Sequence, residues 1–269
     1  GEAAGASFAT RAGCPDQSTA CLRGLSVAQI LATPVETTPV VDGTFLTQSV
    51  GAAFASGAFN RVPVIEGANH DEFRLFVAIS TLTAGPTPAA AYPAAIQATL
   101  GVPAQVVPLI AAQYPLSAYP SPDLALSALA TDAVFACNAR VATQQISRFV
   151  PTFAYEFADP DAPQRLLPPV AFSYGAAHGS EIQYLFTLPV VFPGPDFTAN
   201  QRALSEAMIS YWTTFARTGQ PTSFQTPLWS RYRADRDTVQ SLVPPRPRPD
   251  AGFAAEHRCA FWDALLSGG

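Results

Sequence analysis

Two short apolar runs, RVPVIEGAN at 61–69 and TFAYEFA at 152–158, are separated by a segment, 124–148, whose apolar residues recur at helical spacing. The runs read as strands and the segment as an amphipathic helix. Further helical patterns lie at 2–12, stopped by Gly13, at 25–32, and at 201–217, closed by Gly219 and Pro221. Strands spaced by long helices predict an α/β fold with a largely parallel sheet, in which chemistry gathers in the loops that follow strand ends. The Pro-rich stretches 85–122 and 243–250 read as structured surface excursions rather than linkers, because helical patterns resume around them.

Composition narrows the functions such a fold can carry. With 48% hydrophobic and 13% charged residues, the 269-residue chain can bury a substantial core. All 15 basic residues are arginine, and against 20 acidic residues they leave a net charge of -5. No basic stripe is available to neutralise phosphates, so no nucleic-acid partner is expected. No run of about eighteen apolar residues occurs, and no membrane span is expected. No charged-then-apolar leader follows Gly1, so a signal peptide is not read in this chain.

Two loops hold the candidate chemistry. The first strand empties into GANHDEFRLF, 67–76, placing Asp71 and Glu72 in a loop that leads into a helix. Acids there can simply favour a helix N-terminus, an effect of roughly 0.3–1 kcal/mol. The second loop is GAAHGSEIQYLF, 175–186, where His178 stands among glycines and small residues. His70 and His257 have no comparable context and read as structural or surface residues. Four cysteines, Cys14, Cys21, Cys137 and Cys259, permit three pairings.

Taken in order, VVDGTFL (40–46), FNRVPVIEGANHDEFRLF (59–76), AHGSEIQYLF (177–186), YWTTFARTGQP (211–221), PLWSRY (227–232) and CAFWDALL (259–266) resemble the type-B carboxylesterases, the group that includes the cholinesterases. The resemblance implies an α/β-hydrolase fold and a Ser-His-acid triad, with the acid on Glu72, Asp71 its local alternative, and the histidine on His178. A histidine near its ordinary pKa can take a hydroxyl proton and return it to the leaving alcohol, while a carboxylate on its other ring nitrogen fixes the tautomer. Glu181 resembles a buried supporting acid, and Phe73 stands where many members carry glycine. The partner implied is a small-molecule carboxylic ester, and no cofactor or metal is implied. The resemblance also pairs Cys14 with Cys21 and Cys137 with Cys259, which points to a secreted or periplasmic protein.

The third triad member is not found. No G-x-S-x-G turn and no HGGG-like loop occurs, and Ser7, Ser173 and Ser180 lack the elbow context. The opening GEAAG differs from an elbow at Ala3 alone, but EAAGASFATRAGC reads as a helix running directly into the first cysteine loop. The expectation is therefore a single incomplete α/β-hydrolase domain over 1–269, the C-terminal half of such an enzyme, inactive alone and partnered by an N-terminal half that carries the serine. The alternatives are a noncatalytic binding or adhesion module of the same fold and a pseudoenzyme with Ala3 in place of the nucleophile.

Overall fold

A computed structural model describes residues 1–35, 39–187, 192 and 194–267. The chain divides into two compact units, Gly1–Ala58 and Phe59–Gly269. The first holds the helices Glu2–Arg11, Thr19–Gly24, Val27–Ala32 and Val50–Ser56. The last three each begin at a serine, Ser18, Ser26 or Ser49, whose side chain accepts a backbone N–H of the first turn. Cys14 and Cys21 are disulfide-bonded across 5.7 Å between Cα atoms. In VVDGTFL the Asp42 carboxylate accepts the N–H groups of Thr44, Phe45 and Leu46 at 2.8–2.9 Å and so shapes the turn.

The second unit is built on a mixed four-stranded sheet in the order β1 (Val64–Asn69), β2 (Thr152–Phe157), β3 (Val239–Leu242), β4 (Arg248–Asp250). β1 pairs with β2 and β2 with β3 in parallel, and β4 closes the far edge antiparallel to β3. The register sets Asn69 beside Phe157, so the loops leaving β1 and β2 start side by side. Gly67 has no alternative in β1, because a Cβ there would collide with the Tyr155 carbonyl and ring on β2.

The expected helix over 124–148 is a continuous helical run, Pro122–Ser147, interrupted by a π-helical turn at Thr131–Ala136. By length and composition it is the one helix among the described residues that could cross a membrane, but half of its most apolar window is buried inside the protein. The expected helix at 201–217 runs Ala199–Thr218, started by a capping box between Thr198 and Gln201 and stopped at Gly219 with φ +72°.

The first Pro-rich stretch, 85–122, is not only a surface excursion, whereas 243–250 stays largely exposed at the sheet edge. Tyr92, Ile96, Val107, Ile110 and Tyr114, all from 85–122, are buried in the core cluster shared with Leu126, Leu129 and Trp262. Prolines in this stretch start helices, Tyr92–Leu100 and Val107–Gln113, rather than break them. The stretch 243–250 supplies β4. A second disulfide, Cys137 to Cys259, ties the helix Cys137–Ser147 to the helix Cys259–Ser267.

The two disulfides close very different loops, with sequence separations of 7 and 122. Replacing Cys137 and Cys259 together by alanine is expected to lower stability by about 5 kcal/mol, against about 2–3 kcal/mol for the Cys14 and Cys21 pair. Urea midpoints of the two double variants measure this; a larger loss from the short loop would contradict it.

Candidate active site

β1 ends at Asn69, and the next residues turn before the helix Arg74–Ala84 begins. Neither acid of the turn caps that helix, which has no side-chain cap; the Phe73 N–H is taken instead by the Thr131 hydroxyl at 2.9 Å. The two carboxylates face different partners. Asp71 accepts the Ala176 N–H at 3.0 Å and pairs with Arg74 at 2.9 Å, while Arg74 donates to the Ser173 carbonyl at 3.0 Å. Asp71 is therefore a latch on the 173–176 loop. Gly175, at φ +56°, leaves the room this latch needs, because a Cβ there would strike the Asp71 carboxylate.

Glu72 faces His178. Its Oε2 lies 2.7 Å from His178 Nδ1, and its Oε1 accepts the Asn69 N–H at 2.7 Å. The backbone repeats the link, with the His178 N–H donating to the Glu72 carbonyl at 3.2 Å. The Glu72 side chain is 7% exposed and that of His178 47%, so the acid is buried beneath a histidine that meets solvent. Burial raises the Glu72 pKa above the ordinary 4.5, with the Glu181 charge adding to it, against the opposing pull of the Asn69 N–H and His178. Glu181 bonds the Asn69 amide, which also donates to the Ala177 carbonyl at 2.9 Å. It reaches the turn through Asn69.

Aromatic rings flank the histidine. Phe76 and Phe135 lie 5.2 and 5.4 Å from the His178 ring, and Phe73 packs against both. Of the aromatics near the two sequence loops, Tyr184 is fully buried against Phe157 and Phe197 and belongs to the core. Phe135 has no sequence signal of its own, since it reaches His178 from the π-helical turn. Ala3, by contrast, sits inside the helix Glu2–Arg11 without the positive φ of a strained turn.

The other two histidines form a separate cluster. His257, 2% exposed, places Nδ1 2.6 Å from Asp132 and Nε2 2.7 Å from Glu156. Burial opposes its charge, yet the hydrogen bonds to these carboxylates prevail and push its pKa up to about 9. Asp132 also accepts from the Tyr114 hydroxyl at 2.6 Å, which in turn accepts from the Trp262 indole at 2.8 Å. For His70, the hydrogen bond to Asp71 pushes the pKa up to about 10.

The sequence of residues 2–262 matches the family model described as the carboxylesterase family. The chain belongs to the carboxylesterase family. That membership carries the α/β-hydrolase fold. Among its relatives, the Homo sapiens cocaine esterase is 31% identical over 263 residues, covering 91% of this chain and 45% of that protein. The Caenorhabditis briggsae acetylcholinesterase 1 is 27% identical and covers 85% and 41% respectively. The Macaca mulatta neuroligin-3 is 33% identical over 135 residues, 43% of this chain. The carboxylesterase-family chain thus spans about half the length of the curated relatives it matches over most of its own.

The raised Glu72 pKa has a signed consequence for stability. The folded protein holds this proton more tightly than the unfolded chain, so ionising Glu72 costs stability, and the loss develops as pH rises from the unfolded value of 4.5 through the higher folded one. Glu72→Gln is expected to remove that slope and to unfold at a urea concentration no lower than wild type at pH 7. Urea midpoints from pH 4 to 8 test this, and marked destabilisation at pH 7 would make the carboxylate a structural necessity.

Proposed function

We propose that this chain supplies the general base, His178, and its orienting acid, Glu72, to a Ser-His-Glu triad that hydrolyses carboxylic esters, the serine coming from a part of the protein outside these residues. The observation that carries the reading is the 2.7 Å contact from His178 Nδ1 to the buried Glu72 carboxylate. With Nδ1 donating to Glu72, Nε2 is the nitrogen left to take the serine proton as the hydroxyl attacks the ester carbonyl, and to return it to the leaving alcohol. The acid helps by holding the ring in this tautomer and by stabilising the imidazolium.

Several features support the reading. The chain covers 45% of the cocaine esterase it resembles, leaving room in such a protein for an elbow and an oxyanion loop. Its two disulfides fit an oxidising compartment, hence a secreted or periplasmic protein. On this reading 1–269 forms one α/β-hydrolase domain together with the segment that brings the serine. Phe76 and Phe135 beside His178 favour an apolar ester over a highly charged one. The likeness to neuroligin-3 speaks for a binding module, but a module that only binds has no use for a buried acid held against an exposed histidine.

The chain co-expressed with a complementary segment bearing a G-x-S-x-G turn is expected to hydrolyse a short-chain aryl ester, and neither part to do so alone. In that assembly His178→Ala and Glu72→Gln should each lower kcat about a thousandfold or more. Activity of the isolated chain that survives His178→Ala would overturn the assignment.

A further inference from the structure

Below the Glu72 turn, His70, Glu156 and His257 each offer a metal-ligating atom, and these atoms lie within 4.8 Å of one another. We propose that these three residues, with Glu256, form a binding site for a zinc-class divalent transition-metal ion that is separate from the ester chemistry. The ester reading implies no metal, and the site stands or falls independently of it.

Geometry is the first argument. Zinc binds nitrogen and carboxylate oxygen at about 2.0–2.2 Å, so neighbouring donors of a tetrahedral site sit about 3.4 Å apart. His257 Nε2 and Glu156 Oε1 at 2.7 Å would spread slightly, and the remaining donors would draw in. Glu256 lies 3.0 Å from His70 Nε2 and can complete the set as a fourth ligand.

The two rings, tilted 58° to one another, are also paired alike. Each places Nδ1 on an aspartate, His257 on Asp132 at 2.6 Å and His70 on Asp71 at 3.3 Å. Each turns Nε2 to a glutamate, His257 to Glu156 at 2.7 Å and His70 to Glu256 at 3.0 Å. A carboxylate on the remote ring nitrogen is the arrangement that fixes tautomer and direction in metal-ligating histidines. The rings lie 5.4 Å apart between centroids.

Charge is the third. Asp71, Asp132, Glu156 and Glu256 bring four carboxylates, against which Arg74 pairs with Asp71 at 2.9 Å and Arg258 approaches Asp132 at 3.7 Å. When the ion takes the place of the two ring protons, four negative charges less two guanidinium charges leave two, which one dication balances. Imidazole donors select a zinc-class ion over magnesium or calcium. The Glu156 and His257 side chains are 3% exposed, whereas His70 and Glu256 are 34% and 54% exposed, so the ion would enter from the His70 side.

The test uses the purified chain after dialysis against EDTA. Calorimetric titration with zinc chloride at pH 7.5 is expected to give one ion per chain and a raised Tm, with no response to magnesium chloride. His70→Gln, at the accessible side of the cluster, should keep the fold and weaken zinc binding at least about tenfold. Cobalt(II) bound in place of zinc should show the intense visible absorption of a tetrahedral site, and lose it in the same variant. Absence of zinc binding, or binding and cobalt absorption unchanged by His70→Gln, would overturn the proposal.

Discussion

The parallel pairing of β1 with β2 is the constraint from which the rest of the site follows. It sets Asn69 level with Phe157, so two loops that start 88 residues apart in sequence (157 minus 69) leave the sheet at the same end. One carries Glu72 and the other reaches His178 after a longer excursion. Asn69 then spans the gap, giving its backbone N–H to Glu72 and its side-chain amide to Ala177 and Glu181. Glu72 and His178 meet because the strand end at Asn69 is fixed by the sheet and Asn69 itself binds both loops.

The two acids of the turn divide its work. Asp71 is spent on holding the 173–176 loop through Ala176 and Arg74. Glu72, its neighbour, is buried with a raised pKa and turned to a histidine. Two adjacent carboxylates thus sit in opposite environments, one paired with a guanidinium and one desolvated against an imidazole.

Much of this was legible in the sequence because the carriers are long or punctuated. The apolar run of β1 and the glycines around His178 mark both loops, and the ordered family landmarks assign the acid to Glu72 over Asp71. What escaped reading was short or distant. β3 and β4 are four and three residues long, too few for alternation to register, and β4 contains Pro249. The stretch 85–122 reads as surface because its prolines suggest breaks, although they sit in first helical turns that bury Tyr92 and Ile110. His257 looks isolated because its partners, Asp132 and Glu156, are 125 and 101 residues away. No local pattern can signal such a contact, because the three residues come from a strand, a π-helical turn and a helix end.

The π-helical turn Thr131–Ala136 ties these parts together. From it Thr131 holds the Phe73 N–H, Asp132 holds His257, and Phe135 flanks His178, while Cys137 follows at once. Each residue of an α-helix turns the chain by about 100°. A π-helical turn holds one residue more than an α-helical path between the same ends, so a one-residue deletion here would let the run close as a plain α-helix and leave Cys137 in phase with Cys259, while Thr131, Asp132 and Phe135 could no longer all keep their places. The extra residue is thus what lets one short segment face three neighbours at once, the Phe73 N–H, His257 and His178, which the regular spacing of an α-helix would not allow.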